Sequence, residues 1–232
     1  EVVASPIINV TILDTNVCLN TTVNLQNNTV ADNHSWTYNG QNYENQIPEI
    51  VINSEGDNEI YYTASNGINN CSNSNTYYIV GYSTPDPTIT SDSNICENVE
   101  LFTLSSVDDG GIWRGLNIDS ITGEINISAN GPGYYDFTYE IAGYCPIQID
   151  TITIQIIEFI EAQINPISDY CEQTDTIQLS ATPENGEWSG LSNTHLINGS
   201  FVIDSLQDGL YELYYTTNTF CSDTDTSYIT IL

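Results

Sequence analysis

The sequence predicts an all-β protein made of three tandem β-sandwich domains. Its apolar residues occur in short alternating runs rich in Ile, Val, Thr and Tyr, which is the composition of β-strands. No long stretch carries the i, i+3, i+4, i+7 apolar spacing of an amphipathic helix, so we expect little helix. Cysteine, tryptophan and glycine landmarks recur with a period of about 75 residues, which indicates an internal repeat.

The repeat divides the chain into three copies of similar length. Each copy contains a first cysteine, a tryptophan, a glycine that opens the last-but-one strand, and a second cysteine. In chain order these landmarks are Cys18, Trp36, Gly56 and Cys71; Cys96, Trp113, Gly133 and Cys145; and Cys171, Trp188, Gly209 and Cys221. We therefore predict three domains, at residues 1–84, 85–160 and 161–232.

The strands of each copy predict an immunoglobulin-like sandwich, of the kind also found in PKD and fibronectin type III domains. Six or seven short strands are separated by Asn-Gly turns, and the tryptophan falls on the third strand. In the second and third copies a tyrosine follows the strand glycine by two residues, which is typical of a tyrosine corner. An alternative role for the tryptophans is stacking against sugars. The predicted core residues are Trp36, Trp113, Trp188, Tyr135 and Tyr211.

The junctions between the copies are short. The first junction, in "GYSTPDPTIT", contains two prolines, and neither junction resembles a flexible Gly/Ser linker. We therefore expect the three domains to form a semi-rigid rod. Because the chain has no methionine and "EVVASPIINV" lacks the features of a signal peptide, we also expect it to be a piece of a longer protein.

The cysteines predict disulfide bonds. Phe137 and Leu213 stand in the strands that begin at Gly133 and Gly209, at the position where the corresponding strand of an immunoglobulin domain has its half-cystine. The bridge must therefore lie elsewhere. Six cysteines allow 15 pairings, and the repeat favours one bridge within each copy. We predict the pairs Cys18–Cys71, Cys96–Cys145 and Cys171–Cys221. A zinc site is disfavoured because the chain has no C-x-x-C motif and two histidines, and disulfides indicate an extracellular location.

The charge of the chain restricts its partners. The formal net charge is −30, with 31 acidic residues and a single basic residue, Arg114. Binding to nucleic acid or to an anionic membrane surface requires lysine and arginine, so both partners are excluded. No segment is long and apolar enough to insert into a bilayer.

Several acidic residues are candidate calcium ligands, because calcium prefers carboxylate oxygens. One group lies in the predicted turn before the tryptophan strand of the second copy, and a solvated turn is the alternative interpretation there. The other group lies near the domain junctions, where calcium would rigidify the rod. The candidates are Asp108 and Asp109, and Asp86, Asp92, Asp169 and Glu172. No nucleophile signature or perturbed acid pair is recognisable, so we predict no catalytic residue and no enzyme activity.

The third copy contains "NGEWSG", "INGSFVIDSLQDGLYELYY" and "FCS", and the second repeats the series as "GGIWRG", "GEINI", "GPGYYDFTY" and "YCP". These elements resemble the PKD-like and Ig-like repeats of large cell-surface adhesins of gliding Bacteroidota. The first copy departs from the pattern, since "SWTYNG" has a shifted glycine and "GDNEIYY" lacks the corner tyrosine. The resemblance implies type IX secretion, a place at the cell surface and a role in adhesion, including gliding motility.

The favoured function is therefore a non-enzymatic segment of a long extracellular adhesin, acting as a rod or spacer and in surface attachment. Its expected partners are neighbouring repeats of the same chain and a surface glycan or substratum. Two alternatives remain open: a module that itself binds a glycan or a protein, and an accessory stalk of a secreted hydrolase.

Overall fold

The computed structural model describes residues 4–67, 71–168, 176–190, 196–197, 199–203 and 206–232. Over these ranges the regular secondary structure is almost wholly strand. The single helix that they contain, α1, is one turn at Ile127–Asn130, where the Asn126 side chain accepts a hydrogen bond from the backbone N–H of Ala129. Within the same ranges no helix has the length and apolar character needed to cross a bilayer.

The strands of the three sequence repeats follow one another without intermixing. In the first repeat they are β1 Val10–Ile12, β2 Asn16–Cys18, β3 Thr21–Thr22, β4 Leu25–Asn27, β5 Asn33–Tyr38, β6 Gln41–Tyr43, β7 Val51–Ile52, β8 Gly56–Asn66 and β9 Cys71–Tyr82. In the second they are β10 Asn94–Cys96, β11 Leu101–Thr103, β12 Ile112–Arg114, β13 Glu124–Asn126, β14 Gly133–Ile141 and β15 Gln148–Ile157. In the third they are β16 Gln163–Ile164, β17 Thr176–Gln178, β18 Ala181–Thr182, β19 Glu187–Ser189, β20 Leu196–Ile197, β21 Ser200–Val202, β22 Gly209–Thr216 and β23 Thr224–Ile231.

The first repeat is a sandwich of one large sheet and two small ones. The large sheet has the order β2-β9-β8-β5-β6, and the small sheets pair β1 with β4 and β3 with β7. Trp36, Ile60 and Tyr62 on the large sheet form one buried cluster with Leu25 and Ile52 on the small sheets. Alternation along each strand places these side chains on the inner face, so the two layers share a core.

The second repeat has the sheets β10-β15-β14-β12 and β11-β13. Strand β14 alternates as its sequence predicts, with Phe137, Tyr139 and Ile141 buried and the residues between them more exposed. The third repeat has the sheets β19-β22-β23, β17-β21-β20 and β16-β18. Its core includes Leu213 and Phe201, which are fully buried.

In two of the repeats, the strand that carries the first cysteine pairs in parallel with the last strand. Strand β2 lies parallel to β9, with Cys18 opposite Tyr82, and β10 lies parallel to β15, with Cys96 opposite Ile157. The neighbouring pairs β8–β9 and β22–β23 are antiparallel hairpin partners. The chain is thus an all-β protein of tandem immunoglobulin-like sandwiches, which confirms the predicted fold class.

The chain forms two compact units, and both contain residues of the second repeat. One unit comprises residues 1–90, 105–113 and 138–150, and the other comprises residues 91–104, 114–137 and 151–232. The division into domains at 1–84, 85–160 and 161–232 stays a prediction.

Candidate functional site

The first disulfide joins the first sequence repeat to the second. Cys18 ends strand β2 and bonds Cys145, which follows strand β14, across a sequence separation of 127 residues. The Cα atoms of the two cysteines are 5.5 Å apart. The sulfur of Cys145 lies 3.5 Å from the backbone carbonyl oxygen of Tyr82, the residue opposite Cys18 in the parallel pair. The ring of Tyr82 stacks on that of Tyr144, with centroids 4.6 Å apart.

The second disulfide repeats this arrangement one repeat further along the chain. Cys96 ends strand β10 and bonds Cys221, with a sequence separation of 125 residues and a Cα–Cα distance of 5.5 Å. The sulfur of Cys221 lies 3.7 Å from the carbonyl oxygen of Ile157, which is opposite Cys96. In both bridges, therefore, the first cysteine of one repeat is bonded to the second cysteine of the next.

The predicted pairs Cys18–Cys71 and Cys96–Cys145 are wrong, and strand pairing explains why. Cys18 is aligned with Tyr82 at one end of β9, whereas Cys71 begins this 12-residue strand at the other end. At about 3.3 Å per residue the two ends lie about 36 Å apart, whereas a disulfide requires Cα atoms within about 7 Å. The predicted pair Cys171–Cys221 is also wrong, because Cys221 bonds Cys96. Cys171 itself lies outside the described residues.

Cys71 forms no disulfide with any cysteine of the described residues, although it was predicted to do so. It begins β9 and is partly exposed. In the repeat it corresponds to Cys145 and Cys221, each of which bonds the preceding repeat. Cys71 therefore holds a bridge position that no partner fills within the part of the chain that the structure describes.

We expect Cys71 to react with N-ethylmaleimide in the native, unreduced protein, because thiols react where disulfides do not. Peptide mapping should place the adduct on Cys71 and find none on Cys18, Cys96, Cys145 or Cys221. The same four cysteines should become reactive after reduction in urea. An adduct on any of the four before reduction would contradict the pairing.

Each predicted core tryptophan packs against a tyrosine of the neighbouring strand. The ring centroids are 4.3 Å apart for Trp36 and Tyr62, 4.4 Å for Trp113 and Tyr139, and 4.9 Å for Trp188 and Tyr215. Trp36 and Trp113 are buried, whereas Trp188 is half-buried. Buried aromatic pairs of this kind add to the hydrophobic free energy of the core.

Sequence reasoning did not identify these tyrosines as partners, although a signal for them exists. Each stands at the sixth position after the landmark glycine of its repeat: Gly56 and Tyr62, Gly133 and Tyr139, and Gly209 and Tyr215. An even spacing places the residue on the same face of the strand as the corner position. The constant spacing could therefore have identified all three residues.

The hydroxyl groups of two of these tyrosines anchor the turn before the tryptophan strand. Tyr139 donates a hydrogen bond to the carbonyl oxygen of Asp108 at 2.9 Å and accepts one from the backbone N–H of Gly111 at 2.7 Å. Tyr215 likewise donates to the carbonyl oxygen of Pro183 and accepts from the N–H of Gly186 at 2.6 Å. In the first repeat, Tyr62 instead contacts Nδ1 of His34 at 2.6 Å.

The corner tyrosines are half-buried and hydrogen-bond backwards along the chain. The hydroxyl of Tyr135 donates to the carbonyl oxygen of Asn130, and that of Tyr211 donates to the carbonyl oxygen of Gln207 at 2.8 Å. This is the geometry of a tyrosine corner.

The acidic residues proposed for calcium make local hydrogen bonds where the structure describes them. The Asp108 carboxylate accepts from the backbone N–H of Asp86 at 2.8 Å. The Asp86 carboxylate accepts from the side chain and backbone of Thr88, and these bonds lower the pKa of Asp86 below its ordinary value. The side chains of Asp92 and Asp109 are exposed to solvent.

The described residues contain no group of three or more His, Cys, Asp or Glu side chains placed to hold a metal ion. Asp169 and Glu172 lie outside the described residues. Calcium binding stays a prediction.

A groove of about 710 Å³ lies in the third repeat, beside Trp188. Its lining combines the aromatic rings of Trp188 and Tyr215 with polar side chains. The polar side chains that line it belong to Asn165, Gln178, Ser180, Glu184, Asn185 and Glu187.

No protein-family model matches the sequence. No curated protein matches it either. Among solved structures, it is similar to the I-band fragment I67–I69 from titin, with 13% identity, 100% coverage of both chains and a TM-score of 0.40. It is also similar to the ICAM-5 D1–D4 ectodomain fragment, with 8% identity, coverage of 97% of this chain and 76% of the other, and a TM-score of 0.42. Mouse cadherin-23 EC22–24 has 9% identity, 99% coverage of both chains and a TM-score of 0.36.

Proposed function

We propose that this chain is a non-enzymatic stalk segment of a longer extracellular surface protein, in which consecutive sandwich repeats are joined by disulfides. The observation that carries the proposal is the repeated pairing of a first cysteine with the second cysteine of the next repeat. A pairing rule that always reaches into the next repeat is suited to a continuing array.

Cys71, which bonds no cysteine of the described residues, also supports the array. Its two counterparts, Cys145 and Cys221, each bond the first cysteine of the repeat before them. By the same rule Cys71 would bond the first cysteine of a repeat placed before this one. The bond would form by thiol–disulfide exchange, with a disulfide oxidoreductase as the oxidant that accepts the two electrons.

The disulfides also support an extracellular location, because such bonds persist in oxidising compartments. The net charge of −30 keeps a crowded surface segment soluble and repels other acidic surfaces. On the resemblance to gliding-type adhesins, we propose that the parent protein acts in surface attachment and that it is exported by the type IX system. The stalk would hold the attaching region away from the cell.

The stalk function is tested by replacing residues 1–232 in the parent protein with an unrelated set of three tandem sandwich domains. We expect deletion of the segment to reduce attachment of cells to a surface, and replacement to restore it, because a spacer contributes length and no specific contacts. Antibody labelling of intact cells checks that all three proteins reach the surface. If replacement fails to restore attachment, the segment itself binds, and the groove beside Trp188 becomes the favoured site.

A further inference from the structure

We propose that the two disulfides make residues 18–221 a redundant tether, whose two ends part only when the backbone has been cut in each of three separate segments. The inference deepens the stalk function and rests on it for its biological use. The connectivity itself follows from the two cysteine pairs alone.

The redundancy arises because the two disulfide loops overlap. The first bridge closes residues 18–145 and the second closes residues 96–221. Cys18 and Cys145 therefore form one covalent crosslink, and Cys96 and Cys221 form another. Three chain segments connect the two crosslinks in parallel: residues 18–96, 96–145 and 145–221. A cut in any one segment, or in any two, leaves the crosslinks connected through the remaining segment.

One bridge within each repeat would not have this property. The stretches between Cys71 and Cys96 and between Cys145 and Cys171 would then lie outside every loop. A single cut in either stretch would part the chain, and both stretches contain a predicted domain junction. These are the exposed connecting segments that proteases attack first. The observed pairing places two further covalent routes alongside each of these two stretches.

The composition of the chain makes the proposal simple to test. Trypsin cleaves after lysine and arginine, and the sequence contains one such residue, Arg114, in the middle segment. Two exposed positions near the predicted domain boundaries provide further sites. Ser83→Arg lets trypsin cut the first segment, and Glu158→Arg lets it cut the third. All variants carry Cys71→Ser, so that this thiol cannot form another bond.

The oxidised proteins are denatured in urea, blocked with N-ethylmaleimide, digested with trypsin and weighed by mass spectrometry without reduction. We expect the parent protein and each single arginine variant to keep the full mass, increased only by the water added at each cut. The Ser83→Arg/Glu158→Arg variant should part into two species. One should contain residues 1–83 joined to 115–158, and the other residues 84–114 joined to 159–232.

The result that overturns the proposal is separation of the Ser83→Arg variant without reduction, because one bridge per repeat predicts it. A double arginine variant that stays whole would also overturn it. As a check that needs no new cleavage site, a Cys96→Ser/Cys221→Ser variant should stay in one piece after cleavage at Arg114 through the Cys18–Cys145 bond. These outcomes do not depend on surface attachment, so they stand or fall separately from the stalk function.

Discussion

Replacing Cys18 and Cys145 together with serine is expected to lower the free energy of unfolding by about 5 kcal/mol. The bridge spans a sequence separation of 127 residues, and closing a loop of this length removes about this much conformational entropy from the unfolded chain. The total stability of a domain is about 5–15 kcal/mol, so the loss is a large part of it. Urea unfolding followed by the fluorescence of the buried tryptophans Trp36 and Trp113 measures the change.

Cys71→Ser is the matched control for this prediction. Because Cys71 forms no bridge within the described residues, its replacement should change the stability by less than about 0.5 kcal/mol. If Cys18 were bonded to Cys71, Cys71→Ser would itself remove a bridge and would lower the free energy of unfolding by several kcal/mol, about as much as the loss of any bridge of that loop length. A Cys71→Ser protein as unstable as the Cys18→Ser/Cys145→Ser protein would therefore refute the observed pairing.

The strand content and the core could be predicted because they depend on local patterns. Alternation along "GYYDFTYEI" is enough to assign Phe137 and Tyr139 to one face of β14, and both are buried. Leu213 takes the interior position that a half-cystine holds in an immunoglobulin domain, and it too is fully buried. The hydrogen bonds of the corner tyrosines follow from the same short-range signal.

The disulfide pairing could not be predicted from the repeat, because it depends on which end of a strand each cysteine occupies. That information lies in the parallel pairing of β2 with β9, whose residues Cys18 and Tyr82 are far apart in sequence. Equal spacing in each repeat is compatible both with bonds inside a repeat and with bonds to the next repeat. The repeat favoured one bridge within each copy, whereas both observed bridges join one repeat to the next.

The hydroxyl anchors were missed for a different reason. The spacing of Tyr139 and Tyr215 from their landmark glycines was visible, but their partners are backbone groups of Asp108 and Pro183. Backbone acceptors leave no trace in residue type. The sequence shows the carboxylates of this turn, which predict calcium ligands, but it does not show that the backbone carbonyl of Asp108 accepts a hydrogen bond from Tyr139.

Gly111→Ala is expected to lower the free energy of unfolding by about 3 kcal/mol, from overpacking and from weakened hydrogen bonds of the Tyr139 hydroxyl. A Cβ atom at this position would lie 2.5 Å from Cζ of Tyr139 and 2.6 Å from the backbone oxygen of Glu140. The backbone oxygen is held in the strand and cannot move away as a flexible side chain would. The tyrosine ring must therefore shift from Trp113, its aromatic partner.

Gly186→Ala should have a similar effect in the third repeat, where the Cβ atom would lie 2.4 Å from both Cζ of Tyr215 and the backbone oxygen of Thr216. The matched control is Gly143→Ala, whose Cβ atom would meet nothing nearer than Pro85 at 4.0 Å, so its stability should change by less than about 0.5 kcal/mol. Urea unfolding monitored by tryptophan fluorescence compares the three variants. Equal stability of the Gly111→Ala and Gly143→Ala proteins would show that the tyrosine anchor contributes nothing, since the two substitutions add the same methyl group and differ only in what surrounds it.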